Sequence, residues 1–387
     1  MRVLMLNDRL SDRGGADRHL IAILGHLQGR AETLLAVGHD DQSLPAGERP
    51  GLGPWRRIKG LERGGLSPRG GVAALERLQG LLAGYQPDVI HLHNIMDPEL
   101  IAAVAATGRA LMTVQDHRAF CPGLGKLTPT GTICHIPLGP GCLACFGDQD
   151  YGQRLMDLTQ RRLAALAGLR RLLVLSNYMA RELAAVGLHP ASIRVLPPFA
   201  QGLAPPPRPV APTHHLLACR LVERKGVRVA CQAAGMLAGG PPLLVAGHGP
   251  LAGEVARLAE ESAGRLRYVG WADRAGMSAL LAGAASLWLP SLWAEPFGIA
   301  GLEALALGVP VAASDLGGVG DWLQHRVNGL LLPPGDAPAL ARAAQCLAGP
   351  EGRRLGAAGA AGVARHFGHN ELMGRLLEQY REVAERA

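Results

Sequence analysis

The chain has 387 residues, of which 48% are apolar and 18% charged, with a formal charge of +7. That balance excludes a disordered or low-complexity protein, and the length exceeds one ordinary hydrophobic core and fits two domains. The excess of Lys and Arg falls mainly in the first 200 residues and admits an anionic partner such as nucleic acid, a phosphorylated substrate or an anionic membrane surface.

The opening MRVLMLNDRLSDRGG reaches charge at Asp8 after an apolar run too short for a secretion signal, so a cytoplasmic location is expected. Residues 2–7 read as a strand, 16–28 as a helix and 32–38 as a second strand; 87–94, 110–116 and 171–177 continue the pattern between helical segments. Such alternation predicts a mainly parallel sheet with helices on both faces. Residues 196–215 are dense in proline, which continues neither a helix nor a central strand, so a domain boundary is expected there.

The pattern then restarts with strands at 215–221, 242–249, 266–271, 286–291, 310–314 and 328–334, and helices near 226–238 and 251–263. Residues 277–294 carry no charge but contain Pro290, and read as a helix followed by a buried strand rather than a membrane span. The expected architecture is α/β, with two doubly wound Rossmann-like domains over 1–200 and 201–370 facing across a cleft, and a C-terminal helix over 371–387. Ligands of such sheets sit at the carboxyl ends of the strands.

Within AEPFGIAGLEALALG (294–308) two carboxylates, Glu295 and Glu303, interrupt a small, apolar stretch. Glu295 is expected in the loop after strand 286–291. Glu303 is expected about two turns along a helix that Gly308 terminates. A carboxylate accepts two hydrogen bonds in fork geometry, which suits vicinal hydroxyls, and the backbone N–H groups of Phe297, Gly298 and Ile299 at the helix start suit a phosphate. The plainer alternative is a solvated loop acid and a helix-surface acid.

EPFGIAGLE resembles the Glu–seven residues–Glu signature of the retaining glycosyltransferases of GT-B fold, in particular the GT4 family, glycosyl transferases group 1. The likeness continues through ALALGVPVAASDLGGVGDWLQHRVNGLLLPPGD, CRLVERKG, VAGHGP, LSNYMARELAAVGL, PDVIHLHN and the Gly14-Gly15 turn. It implies a donor site in which Glu295 contacts sugar hydroxyls, Glu303 holds the ribose, and Arg220 and Lys225 neutralise the leaving diphosphate. It also implies that Gly247 and Gly249 let backbone approach the nucleotide, and that Gly14 and Gly15 form the acceptor-domain turn.

No Asp-X-Asp motif stands at a corresponding place, so a retaining, metal-independent hexosyltransferase with no catalytic cofactor is implied, using a nucleotide diphosphate sugar. The resemblance further implies that the C-terminal helix crosses back to the first domain. The chain departs from the family at Gln115, where a His is common; His117 follows two positions on, and either suits a contact with donor or acceptor. His91 and His93 alternate on one strand and share a face.

Two first-half features fall outside this frame. Cys121, Cys134, Cys142 and Cys145 lie in a Gly/Pro-rich segment within 118–150. Four thiolates there suit a structural zinc ion, with an iron–sulfur cluster and metal-free thiols or disulfides as the alternatives. Residues 53–71 place Trp55 among Arg56, Arg57, Lys59, Arg63 and Arg69, which suits peripheral contact with an anionic membrane face, a phosphorylated acceptor or a solvated loop. No nucleic-acid module is present. Glycan, lipid-linked and small-molecule acceptors are open, and the alternatives in function are a sugar-handling phosphorylase and a non-catalytic binding protein.

Overall fold

The computed structural model describes residues 1–66, 71–200 and 212–385. Most of the proline-rich boundary segment, Arg69 of the basic stretch and the last two residues of the expected C-terminal helix lie outside the described residues. The chain forms two compact units, Met1–Thr130 with Cys134–Pro198 and Asn370–Ala387, and Gly131–Ile133 with Phe199–His369.

The first unit is built on a parallel sheet of β1 (Arg2–Leu10), β2 (Glu32–Asp40), β3 (Trp55–Arg57), β4 (Val89–His93), β5 (Ala110–Val114), β6 (Arg171–Val174) and β7 (Ile193–Val195). The strand order is β3-β2-β1-β4-β5-β6-β7, so the chain steps outward from β1 in one direction and resumes at β4 in the other. Its helices are α1 (Gly15–Leu27), α2 (Gly71–Tyr85), α3 (Pro98–Ala105), α4 (Gln149–Ala167) and α5 (Asn177–Ala185). Every residue of β4 and β5 is buried, as expected for central strands covered on both faces.

Two strands were not legible in the sequence. β3 and β7 are three-residue strands at the two edges of the sheet, too short to show a period. β3 takes Trp55, Arg56 and Arg57 from the basic stretch, pairing Leu35 with Trp55 and Val37 with Arg57. Short, charged edge strands resist pairing with other chains.

The second unit repeats the plan with β8 (His214–Ala218), β9 (Leu243–Ala246), β10 (Leu266–Gly270), β11 (Ala284–Leu289), β12 (Val311–Ser314) and β13 (Gly329–Leu332), all parallel, in the order β10-β9-β8-β11-β12-β13. Between and after them run α6 (Val227–Gly235), α7 (Ala252–Glu261), α8 (Arg274–Ala282), α9 (Ile299–Ala306), α10 (Ala337–Leu347) and α11 (Pro350–His366). The uncharged stretch 277–294 is the end of α8, the buried strand β11 and the loop beyond it. Among the described residues no helix is long and apolar enough to cross a membrane.

The last helix, α12 (His369–Glu385), packs on the first unit. It buries Leu372, Met373, Leu376, Tyr380 and Val383, a stripe at helical spacing. Tyr380 is fully buried, and its hydroxyl lies 2.7 Å from His91 Nδ1 on β4. Arg171 at the start of β6 pairs with Glu382 at 2.7 Å, and Arg375 donates to the Val195 carbonyl.

Candidate active site

In the second unit β8 lies between β9 and β11, so consecutive strands leave β8 on opposite sides and a crevice opens at its carboxyl end. Two loops meet there: 219–226 after β8, and 290–298 after β11. Their junction is backbone against backbone. The Leu292 N–H donates to the Arg224 carbonyl (2.9 Å), and Gly226, at φ 68°, lies so close to Pro290 that a Cβ would overlap the Pro290 carbonyl. Only glycine combines that left-handed backbone with that approach.

This junction brings Lys225 onto Glu295. The ammonium donates to Glu295 Oε1 at 2.6 Å, and the Ser291 hydroxyl donates to the same oxygen. The Glu295 side chain is 4% exposed and that of Lys225 22%. Burial alone would raise the Glu295 carboxyl. The Lys225 charge, with hydrogen bonds from Lys225, Ser291 and Trp293, outweighs it and holds the carboxyl below its ordinary value. Arg224 and Lys225 both sit over the Trp293 ring, at 4.8 and 5.2 Å from its centroid.

Glu295 is also held by its backbone, since Gly318 N–H donates to the Glu295 carbonyl at 2.7 Å. From there the chain turns through Phe297 and Gly298, the latter at φ 92°, into α9 at Ile299. Phe297 is buried, and its carbonyl accepts from Trp322 Nε1 (2.6 Å). Because α9 begins only at Ile299, Glu303 stands one turn into the helix rather than two, half-buried. Gly308 follows the helix at φ 73°, the left-handed residue that ends it.

The turn after β9 completes this edge. Gly247 and Gly249 take φ 141° and 157°, and a Cβ on either would overlap the Cys219 or Leu221 carbonyl. Leu221 N–H donates to the His248 carbonyl at 2.9 Å. These glycines therefore let their turn lie directly on the loop that carries Arg220. Arg220 itself is exposed and makes no ion pair among the described residues.

In the first unit, α1 starts at Gly15 with Gly14 as its N-cap, just beyond β1. Asp17, in its first turn, is buried against Arg9 at 3.0 Å; burial pushes its carboxyl up to about 6 although Arg9 opposes the shift. His91 and His93 do share a face, their rings 4.0 Å apart. His91 spans Tyr380 and Thr113 with 2.7 Å contacts on both ring nitrogens. His117 is buried on the short turn after β5, its Nε2 2.9 Å from the Tyr178 hydroxyl and its ring edge-on to Phe120.

Gln115 Nε2 lies 3.5 Å from His93 Nδ1. Among the described residues Asn7 Oδ1, Asp17 Oδ1, His93 Nε2 and Gln115 Oε1 are buried with no hydrogen-bond partner. These residues belong to the carboxyl ends of β1, β4 and β5 and to the start of α1, the edge where a doubly wound sheet binds ligand. Sequence reasoning missed Asn7, Asp17, Ser291 and Trp293, because nothing in their spacing announced them.

The four cysteines of the first unit are all free thiols lining one cavity of about 400 Å³. Burial, and then the neighbouring thiols of Cys121, Cys134 and Cys142, push the Cys145 thiol up. As placed, they do not fit the single tetrahedral ion expected from the sequence: among the described residues no three His, Cys, Asp or Glu side chains converge on an ion site.

Residues 213–349 match the sequence model of the family described as glycosyl transferases group 1, and residues 14–198 that of the glycosyl transferase 4-like domain. Over 121 residues the chain is 36% identical to phosphatidyl-myo-inositol mannosyltransferase of Mycobacterium leprae, a stretch covering 31% of this chain and 32% of that protein. The chain thus spans about a third of the length of this curated relative. Sucrose-phosphate synthase of Thermosynechococcus elongatus superposes with a TM-score of 0.74 at 21% identity, over 100% of both chains. HepE of Anabaena in complex with UDP-glucose superposes with a TM-score of 0.73 at 17% identity, over 99% of this chain and 100% of that one. Likenesses of that order establish a common fold.

Proposed function

This chain belongs to the GT4 family of group 1 glycosyltransferases and has the GT-B fold, and we propose that it moves a hexose from a nucleotide diphosphate sugar to an acceptor hydroxyl, with retention and without a metal ion. The observation that carries this reading is the Lys225–Glu295 pair at the crevice beside β8, with exposed Arg220 on the same loop. A diphosphate leaves with negative charge that something cationic must stabilise. In this reading Arg220 and Lys225 supply it, and Glu295 fixes the ammonium while leaving it further donors for phosphate oxygens.

Glu295 and Glu303 are the proposed partners of sugar and ribose hydroxyls. The backbone of Phe297, Gly298 and Ile299 at the start of α9 faces the same anion by virtue of the helix dipole. Gly247 and Gly249 keep the neighbouring turn close to the Arg220 loop. The departing diphosphate oxygen takes the acceptor hydroxyl proton, so the reaction balances without a separate protein base.

On the first unit, Gly14, Gly15 and Gln115 are the proposed contacts, supported by the unsatisfied acceptors Asn7 Oδ1, Asp17 Oδ1 and Gln115 Oε1, which suit a hydroxyl-bearing ligand. His117, engaged with Tyr178, acts by shaping the segment that presents Gln115. Arg56 and Arg57, exposed on the edge strand β3, support peripheral contact with an anionic membrane face from the cytoplasm. Glycan, lipid-linked and small-molecule acceptors all satisfy this chemistry, and nucleic acid is not proposed.

The test is a thermal-shift panel of UDP-, GDP-, ADP- and TDP-sugars with Glu303→Ala as control, because a ligand bound only by the native state raises its stability. Stabilisation by one nucleotide that disappears in the variant is expected. No shift with any nucleotide sugar contradicts the reading and favours a binding protein for other ligands, and a shift with inorganic phosphate in their place favours a phosphorylase.

A further inference from the structure

The segment 121–148 joins the turn after β5 to α4 and buries little of itself. Leu127 is its only buried residue, and its Leu124 and Ile136 are 52% and 46% exposed. It nevertheless encloses the cavity of about 400 Å³ on which the four cysteines stand, a volume in the range of about 300–1,000 Å³ typical of ligand sites. Phe120, Leu138 and Val186, which pack on the core of the first unit, line it together with exposed Ile136 and Ala144.

The polar groups of this lining are already engaged. Lys126 Nζ pairs with Glu182 on α5 at 3.2 Å, and the Lys126 N–H donates to Cys121 Sγ at 3.3 Å. The Thr128 and Thr130 hydroxyls lie 2.9 Å apart in a hydrogen bond, and the Cys142 thiol donates to the Pro137 carbonyl. Among the described residues no buried side-chain nitrogen or oxygen of the lining lacks a partner. Burial pushes the Cys145 thiol up, which keeps it protonated, and a neutral thiol behaves as a small apolar group. A polar or charged ligand therefore finds no free partner here, whereas an alkyl chain gains by leaving water for apolar walls.

The cavity starts one short turn beyond Gln115. The N–H groups of Phe120 and Cys121 both donate to the His117 carbonyl, at 3.0 and 2.7 Å, and the Phe120 ring stands edge-on to His117 at 5.5 Å. We propose that this cavity holds the alkyl or isoprenoid chain of a lipid-linked acceptor whose hydroxyl end lies at Gln115. The proposal rests on the reading of the first unit as the acceptor side and selects one of the three acceptor classes left open above. In it the four cysteines are wall, which agrees with their failure to converge on an ion.

The experiment uses the full chain under reductant. Iodoacetamide labelling of each cysteine is timed by peptide mass spectrometry in the presence of monomeric octyl, decyl or dodecyl maltoside, with maltose as the chain-free control. Labelling of Cys121, Cys134, Cys142 and Cys145 is expected to slow with the alkyl maltosides and not with maltose, with affinity rising about fourfold per added methylene. Cys346, an exposed thiol on α10, is expected to react at one rate throughout. Ala144→Trp, which adds an indole to the lining, and Ile136→Asp, which adds a charge, are expected to lose this protection without a change in melting temperature. Labelling indifferent to chain length overturns the proposal. A second arm supplies the donor identified by the nucleotide panel, radiolabelled in its sugar, with total lipids or water-soluble extract of the source cells. Label is expected in the organic phase with the lipids, and is expected to be lost in Ala144→Trp while nucleotide stabilisation is kept. Transfer to water-soluble acceptors alone overturns the proposal even where alkyl chains protect the cysteines. Absence of nucleotide stabilisation in the wild type contradicts transfer itself, so the two failures read separately.

Discussion

Lys225 Nζ lies 2.6 Å from Glu295 Oε1, joining the loop after β8 to the loop after β11 across neighbouring strands of one sheet. Because Glu295 is almost wholly buried, removing its cation strands a carboxylate. Lys225→Met is expected to destabilise the second unit by about 3 kcal/mol, and Lys225→Met/Glu295→Gln to recover part of that loss. Urea unfolding of the wild type, the two single variants and the double variant measures the coupling; strictly additive effects contradict it.

The same pair sets an acid limit. The Glu295 carboxyl is held below its ordinary value in the folded chain, so the unfolded chain binds the proton first as pH falls. Its stabilisation is complete above the ordinary glutamate range of about 4.3 and is lost as pH falls through the lower folded value. Stability measured from pH 5 to pH 3 is expected to decline less steeply in Glu295→Gln than in the wild type.

The first unit carries a second acid-sensitive group. Burial lowers His19 to about 4 and His91 to about 3, and lowers His93 well below its usual value. An unfolded histidine takes its proton near 6.5, so stability falls as pH drops from there toward the folded values, by on the order of 1 kcal/mol per pH unit for each histidine. Asp17, raised to about 6, opposes this with one proton in part of the window. Thermal unfolding between pH 7 and pH 5 is expected to show a net loss that is shallower in His91→Gln; a flat profile contradicts the burial of these rings in neutral form.

Gly226→Ala is a test of the loop junction itself. The added methyl meets the Pro290 carbonyl, at a left-handed backbone conformation that favours glycine. A loss of about 3 kcal/mol or more is expected, together with loss of nucleotide stabilisation, because both Lys225 and Glu295 depend on that contact. Gly235→Ala, at a helix position where a Cβ meets nothing, is expected to be neutral or slightly stabilising.

The fold was largely legible because its central strands are long apolar runs bounded by turn residues, as in β1 and β11, and because Gly308 and the prolines of 196–215 mark ends. The edge strands β3 and β7 were not, since three residues carry no period. Glu295, Glu303, Arg220 and Lys225 were visible as motif residues. Their environment was not: Ser291 and Trp293 complete the carboxylate's hydrogen bonds without any pattern of their own. The His91–Tyr380 contact joins residues 289 positions apart, a separation that periodicity cannot bridge. The four cysteines were counted correctly, but their spacing along the chain did not show that their sulfurs line a cavity instead of closing on one ion.

The most direct test of the account is nucleoside diphosphate release from a panel of nucleotide sugars by the wild type, Arg220→Ala and Lys225→Ala, each with and without a chelator of divalent cations. One donor is expected to be turned over by the wild type regardless of chelator. Either substitution is expected to slow release on the order of 100-fold, the scale of losing a cation from a developing oxyanion, while Arg220→Ala leaves the melting temperature unchanged. Release that proceeds equally well in both variants, or that requires an added divalent metal, contradicts the assignment of diphosphate neutralisation to Arg220 and Lys225.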